Sequence, residues 1–311
     1  MNEEGANRRI GWQMTLLRSI EAHAKTISEV DIAPAGSELA SDDLSLAPHY
    51  TSHLVTFCLG IAHDAFHTAR IICDTENGNR IPFIGLYPLL RTAMEASALC
   101  TWVLAPDPQS ERLRRSLGAR WSDVIHDDQA VRATLPASSL DDKEEASSKN
   151  RLLKENSAKV RAQKSELRKL AERLDLVIEE HRGVPGFGPM FDDIAADVKL
   201  PLGEVRGSWH FISGLTHPSL SRATALSDIR RMSASVDGVF KARMTANSET
   251  VALALDAALV VYIRATGLVE KRGGLRNISW PQPGDINPAP VWNDTTSQSP
   301  SQAHRGASFH R

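Results

Sequence analysis

The spacing of apolar residues is the feature of this sequence that most restricts its fold. Apolar side chains recur along most of the chain with the period of one helix face, and a strict alternation of apolar and polar residues is not found. No run of β-branched residues bounded by turn signals predicts a strand. We therefore predict an all-α protein, folded as a multi-helix bundle of seven or eight helices in one domain from Asn7 to Gly274.

The periodicity and the positions of Pro and Gly place the helices. We predict them at residues 7–29, 49–75, 82–105, 110–133, 149–181, 190–198, 204–217 and 247–271. The polar segment from Val30 to Pro48 is predicted to be a surface loop. The last helix is apolar on nearly all sides, which predicts the buried centre of the bundle. Residues 275–311 are rich in Pro, Ser, Asn and Gln, so we predict a disordered tail.

Charge and cysteine content exclude several classes of protein. The 36 basic and 38 acidic residues nearly cancel, which excludes the strong global field of a dedicated nucleic-acid or anionic-membrane binder and leaves a local basic face open. No DNA partner is predicted. The three cysteines lack Cys-x-x-Cys spacing, so neither a zinc site nor a disulfide framework is predicted.

The expected cellular location follows from the length and composition of the apolar segments. The first residues do not have the charged start and apolar stretch of a secretory signal. The longest apolar stretch, from Thr250 to Ile263, is too short for a bilayer and contains Asp256. We therefore expect a cytoplasmic protein with no membrane span.

The predicted helix from Lys149 to His181 is richer in charged residues than the other predicted helices. Leu153, Val160, Leu167 and Leu174 recur every seven residues, which predicts a seam that packs on a neighbouring helix or on a second copy of the chain. A homodimer through this helix is therefore one prediction. Its first part is rich in Lys and Arg, a pattern typical either of a solvated face or of a surface that binds a protein or RNA partner.

Polar residues at helical spacing inside apolar helices are the main functional signal. Three such stripes occur, one in each of three helices, and they consist of His63, His67 and Arg70; of Tyr87, Arg91 and Glu95; and of Arg206, His210, Ser213 and His217. Asp256 adds a charge to the most apolar helix. Because unsatisfied polar groups are costly in a core, one hypothesis is that the stripes line a shared polar central cavity. The alternative is that each group has its own partner: Glu95 for Arg91, an Arg or a helix terminus for Asp256, and a backbone carbonyl for His63.

A shared cavity could perform one of two chemistries. His63 and His67, one turn apart, could ligate a metal together with His217 and a carboxylate, as in a metal-dependent hydrolase. Without a cofactor, Arg91, Glu95, His210 and His217 could catalyse phosphodiester cleavage, with Tyr87, Arg206 and Ser213 as binding residues. We predict no cofactor.

Pairs of Arg and His are similar to those of HEPN-type helical ribonucleases. The chain contains Arg18-x4-His23, Arg120-x5-His126 and Arg305-x4-His310. This resemblance implies metal-independent cleavage of RNA, in which Arg and His activate the 2′-hydroxyl and stabilise the phosphorane, in a toxin or phage-defence system.

A second resemblance covers residues 61–218. Leu90-Arg91-x3-Glu95 and Ser213-x3-His217-Pro218 resemble a group of bacterial helical-bundle proteins whose domain has no assigned function. This resemblance implies the fold and assigns no role to a residue. The leading functional hypothesis is a regulatory or interaction-mediating helical bundle, and the ribonuclease and the metal-dependent hydrolase are its alternatives.

Overall fold

The protein is described by a computed structural model over residues 2–73, 81–134, 143–176, 183–201, 203–235 and 240–275. Within those ranges it has ten helices and one two-stranded sheet. The helices are α1 (Glu3–Ser28), α2 (Glu38–Leu46), α3 (Thr51–Cys73), α4 (Leu86–Leu104), α5 (Gln109–Thr134), α6 (Lys143–Arg173), α7 (Phe187–Asp197), α8 (Glu204–Leu215), α9 (Leu220–Ala225) and α10 (Ser248–Gly273); the strands are β1 (Ser227–Arg231) and β2 (Ala242–Ala246). The all-α bundle is therefore confirmed, with more helices than predicted.

The core forms around α10, as the apolar sequence of this helix predicts. α10 packs against α4 and α1, and α4 packs in turn against α3. Asn247 caps the helix by accepting a hydrogen bond from the backbone N–H of Thr250, and Gly274 ends it at a φ of +62°. α10 is long and apolar enough to cross a membrane, but 67% of its most apolar window is buried inside the bundle. That burial is typical of a core helix.

Two buried arginines close the carboxyl end of α4. Arg272 donates hydrogen bonds to the carbonyl oxygens of Leu104 and Pro106, at 3.2 and 2.9 Å. Arg112 forms a bidentate pair with Asp42, with donor–acceptor distances of 2.7 and 3.0 Å. Arg272 thereby satisfies the Leu104 carbonyl, which the helix itself leaves without a donor, and ties α10 to the end of α4. Arg112 ties α5 to α2.

The prediction of a loop from Val30 to Pro48 is wrong, because α2 lies inside it. Ser37 caps α2 by accepting a hydrogen bond from the backbone N–H of Ala40. Leu39 and Leu46 are fully buried. The segment is mostly polar in sequence, and its two buried leucines pack into different apolar clusters, Leu39 into the main core and Leu46 into the cluster of α5 and α6.

The seam of α6 packs on α5 within the same chain. Leu167 and Leu170 form a second apolar cluster with Leu117 and Trp121 of α5, and Val160 lies against it. α6 packs chiefly on α5 and starts earlier than predicted, at Lys143. Residues 177–182, the end of the predicted helix, lie outside the described residues. The neighbouring-helix interpretation of the seam is therefore confirmed, and a homodimer stays an untested prediction.

The sequence missed the segment between α8 and α10. It forms α9 and an antiparallel hairpin in which Ile229 is paired with Met244, and Arg230 with Arg243. The hairpin is mostly exposed, so it has no apolar face to create the alternation that reveals a strand. The predicted tail beyond residue 275 lies outside the described residues.

Candidate functional site

One of the three polar stripes, that of α4, contacts α8 where the two helices pack. Arg91 Nε donates to Glu95 Oε1 at 2.7 Å, and Arg91 Nη1 donates to Thr216 Oγ1 at 3.3 Å. Trp209 Nε1 of α8 donates to the same Glu95 oxygen at 2.9 Å. Arg91 and Glu95 are partly buried, at 32% and 22% side-chain exposure. The pair therefore acts as a polar link between the two helices.

The residues predicted from the α8 segment do not join this link. His210 and His217 are exposed, and the His210 ring lies beside Trp209 at a centroid distance of 4.8 Å. Arg206 Nη1 donates to Asp192 Oδ2 of α7 at 2.9 Å. The hydroxyl of Ser213 is buried and has no hydrogen-bond partner among the described residues. The predicted catalytic set is thus divided between a helix contact and the surface.

Tyr87, predicted as a binding residue, is part of the core. It is 2% exposed, and its ring meets Phe211 of α8 edge to face at a centroid distance of 6.2 Å. Burial raises the pKa of its phenol to about 12. Tyr87 therefore packs α8 onto α4 and does not act as an acid or base near neutral pH.

The two histidines predicted to bind metal have different neighbours. His63 is hydrogen-bonded to the hydroxyl of Tyr262 on α10. His67, one turn later and exposed, pairs with Glu21 of α1 at 3.0 Å. Within the ranges that the structure describes, no group of three His, Cys, Asp or Glu residues is arranged to hold a metal ion.

A buried polar cluster lies between α1, α3 and α10, and the sequence did not predict it. His23 is 5% exposed, its ring is 6.4 Å from that of His63, and its Nε2 atom is 3.9 Å from Glu270 Oε1. Burial lowers the pKa of His23 and of His63 to about 4. Both imidazoles are therefore neutral at physiological pH. The sequence signal for this cluster was the presence of polar side chains in the middle of long helices. That these side chains lie close together follows only from the packing of the helices.

Asp256, the charge in the most apolar helix, has partners on α1. Arg9 Nη2 and Gln13 Nε2 lie 2.8 Å from its Oδ1 atom. Together with the Arg91–Glu95 pair, this contact matches the hypothesis of separate partners. His63 departs from it in detail because it bonds a phenol and not a backbone carbonyl. The hypothesis of a shared polar central cavity is wrong for Arg91, His63 and Asp256, because each of these side chains has its own partner.

The Arg and His residues of the ribonuclease resemblance have different surroundings. His23 is buried in the cluster described above, so RNA cannot reach its ring without unfolding. Arg120 donates to the backbone oxygen of Tyr50 at 3.2 Å, and His126 is exposed. Arg305 and His310 lie outside the described residues.

A small pocket lies between α4, α5, α7 and α10. Its volume is about 110 Å³, and its lining includes Thr101, Trp102, Met190, Asp193 and Arg264. The Thr101 hydroxyl is buried and has no hydrogen-bond partner in the described part of the chain. The sequence offered no signal for this pocket, because its lining comes from four helices that are distant in sequence.

The basic residues of α6 are unevenly distributed around the helix. At 100° per residue, the helix places four of them within an arc of about 80°, beside the seam. This basic flank consists of Lys154, Arg161, Lys164 and Arg168. Glu172 lies on the same side of the helix as Lys154, at one edge of this arc. Lys164 and Arg168 lie over the Trp121 ring, each 5.0 Å from its centroid.

The opposite flank of α6 faces the bundle. There Glu166 pairs with His49 at 3.1 Å, and Arg173 Nη2 donates to the backbone oxygen of Ser45 at 3.2 Å. The basic flank is consequently directed away from α2.

No protein-family model, curated protein or solved structure matches this chain. The two family resemblances therefore stay predictions, and the function has to be argued from the geometry.

Proposed function

We propose that this chain is a non-catalytic, partner-binding helical bundle that binds an acidic protein surface through the basic flank of α6. The observation that carries the proposal is the flank itself, with Lys154 and Arg161 exposed and forming no ion pair within the described ranges. Arg151, by contrast, pairs with Glu155 on another side of the helix. Two neighbouring like charges that form no ion pair within the described ranges attract an oppositely charged partner and speed its association.

The shape of the hairpin formed by α5 and α6 supports this proposal. α6 has 31 residues, which corresponds to about 46 Å of helix at 1.5 Å per residue. The apolar cluster that holds it to α5 is centred on its second half, near Leu167 and Leu170. The middle of the helix, with Lys154 and Arg161, therefore offers an accessible helical face that costs little ordering entropy on binding.

The polar stripes favour binding over catalysis. A nucleophile needs a base within hydrogen-bond reach and a group that orients the base. Ser213 has a buried hydroxyl without such a partner in the described structure, while His210 and His217 are exposed. Arg91 and Glu95 are already bonded to each other and to α8.

The test compares two variants with the same change in charge. Lys154→Glu/Arg161→Glu reverses the basic flank, whereas Lys159→Glu/Lys169→Glu reverses two exposed lysines outside it. Partners are crosslinked in the native host, co-purified with each variant and quantified by mass spectrometry, with and without ribonuclease treatment. We expect a protein with an acidic surface that is retained by the control, lost from the flank variant and insensitive to ribonuclease.

Three results would contradict the proposal. Equal recovery of all partners by both variants would remove the flank as the binding surface. Growth arrest with degraded RNA on induction of the wild type, abolished by an Arg91→Ala substitution, would favour the ribonuclease. Stoichiometric metal in untagged purified protein would favour the hydrolase.

A further inference from the structure

The hairpin of β1 and β2 is an exposed structure whose charges oppose its own stability. Arg230 and Arg243 are directly opposite each other across the two strands. Like charges in this arrangement destabilise a hairpin, and an isolated two-stranded sheet is at best marginally stable in water. Arg231 and Lys241 add two further exposed cations to the same ribbon.

The hairpin is held to the bundle only at its base. Leu226 and Ala246 pack against the main core, and Asn247 Nδ2 donates to Asp228 Oδ1 at 2.9 Å. β1 also contacts α9. Beyond this base every described residue of the ribbon is exposed or only partly buried. The ribbon therefore projects from the bundle, and the one acidic side chain among its described strand residues is already bonded.

Apolar and aromatic side chains accompany the cations. Ile229, Met232 and Phe240 are 47%, 58% and 45% exposed. The Arg231 guanidinium lies over the Phe240 ring, 4.9 Å from its centroid. By strand alternation, the Phe240 ring and Arg231 lie on one face of the ribbon, and Arg230, Lys241 and Arg243 lie on the other. A flexible single strand that passes around the edge of this two-stranded ribbon reaches both elements of single-strand binding, a stacking surface for a base and cations for the backbone.

We propose that this ribbon binds single-stranded nucleic acid, with Arg230, Lys241 and Arg243 at phosphates and Phe240 stacked on a base. The phosphates neutralise the opposed arginines, so the unfavourable pair in the free protein is relieved in the complex. An acidic protein would satisfy the cations but would leave the exposed ring without a flat partner, which is why the nucleic acid is favoured. This site is separate from the basic flank of α6 and does not depend on the proposed function.

The binding assay is fluorescence anisotropy with a labelled single-stranded 20-mer, as RNA and as DNA of the same sequence, between 50 and 200 mM KCl. Three phosphate contacts predict a slope of about −2 for log K against log salt concentration, since each contact contributes about −0.7. The tighter of the two strands identifies the source of the ligand. A poly-glutamate peptide of equal length, used as competitor, is expected to displace neither strand.

Three sets of variants isolate the two kinds of contact. Arg230→Gln/Arg243→Gln should make the slope shallower by about 1.4, whereas Arg230→Lys/Arg243→Lys should keep the wild-type slope. Phe240→Ala should weaken binding roughly five- to hundredfold at every salt concentration and leave the slope unchanged. Lys154→Gln/Arg161→Gln on α6 is the control and should bind as the wild type does.

Several outcomes would overturn the proposal. These are no binding at 50 mM KCl, a slope unaffected by the double glutamine variant, equal binding by Phe240→Ala, and displacement by poly-glutamate at the concentration at which unlabelled RNA displaces. An equal loss of binding in the α6 control would also overturn it, because the ribbon would then not be the site. Circular dichroism of each variant establishes that the bundle is intact, and the lysine variant keeps the test decisive if glutamine disturbs the hairpin.

Discussion

Acidification from pH 7 to pH 5 should destabilise this fold through His23 and His63. Burial lowers the pKa of both imidazoles from 6.5 to about 4. The unfolded chain therefore binds more protons than the folded chain between these values, and stability increases with pH in this window. The stability that the two neutral, buried imidazoles allow is fully present above pH 6.5 and is lost as the pH falls towards 4.

The size of the effect follows from the two pKa values. The difference between the ordinary pKa and the folded-state pKa corresponds to at most about 3 kcal/mol per histidine once the pH is below both values. Between pH 7 and pH 5 the expected loss is about 2 kcal/mol per histidine. The charge of a protonated His23 also lowers the pKa of His63, so the two losses are coupled. We expect a combined loss of about 2–4 kcal/mol.

The assay is urea unfolding followed by circular dichroism at pH 7, 6 and 5. His23→Gln/His63→Gln removes both titrating groups, so its unfolding free energy should change far less over this range than that of the wild type. His67→Gln is the matched control, because His67 lies one turn from His63 but is exposed, and it should keep the wild-type dependence. A wild type and a double variant that lose equal stability between pH 7 and pH 5 would refute the reasoning.

Three further substitutions test other parts of the structure by urea unfolding at pH 7. Arg112→Ala should cost about 3–5 kcal/mol, because it leaves the fully buried Asp42 carboxylate without its bidentate partner; a loss below about 1 kcal/mol would mean that the carboxylate is solvated or neutral. Thr101→Val should stabilise the protein by about 1 kcal/mol, since it replaces a buried hydroxyl that has no partner in the described part of the chain by a methyl group of similar size. A destabilised Thr101→Val variant would show that the hydroxyl is bonded in solution. His217→Ala should change stability by less than about 0.5 kcal/mol, because the side chain is exposed. A larger fall would show that His217 is a packed structural residue.

Local sequence signals located those elements whose apolar pattern matches their burial. α10 is apolar nearly all round and is the core helix, and the seven-residue repeat of α6 lies on α5 as its spacing predicts. The Arg91–Glu95 pair was also predictable, because residues four apart lie on one side of a helix. In each case neighbours along the chain contain the information.

Signals failed where the burial of a segment depends on distant parts of the chain. α2 looks like a polar loop, yet Leu39 and Leu46 are buried by helices that follow it. The ribbon of β1 and β2 looks like a polar segment because it has no buried face. The similarity of the stripes suggested one cavity, although Arg91, His63 and Asp256 each have a different partner.

By itself, the sequence determined the helical class, the central position of α10 and the seam of α6, because helix periodicity is a local property. Tertiary structure decided which polar groups meet. It placed the His23 ring near that of His63, paired Asp256 with Arg9, and directed the basic flank of α6 away from α2. The physical reason is that a side chain's partner depends on the rotation and approach of whole helices, which is set by the summed burial of many apolar residues and not by the few polar ones.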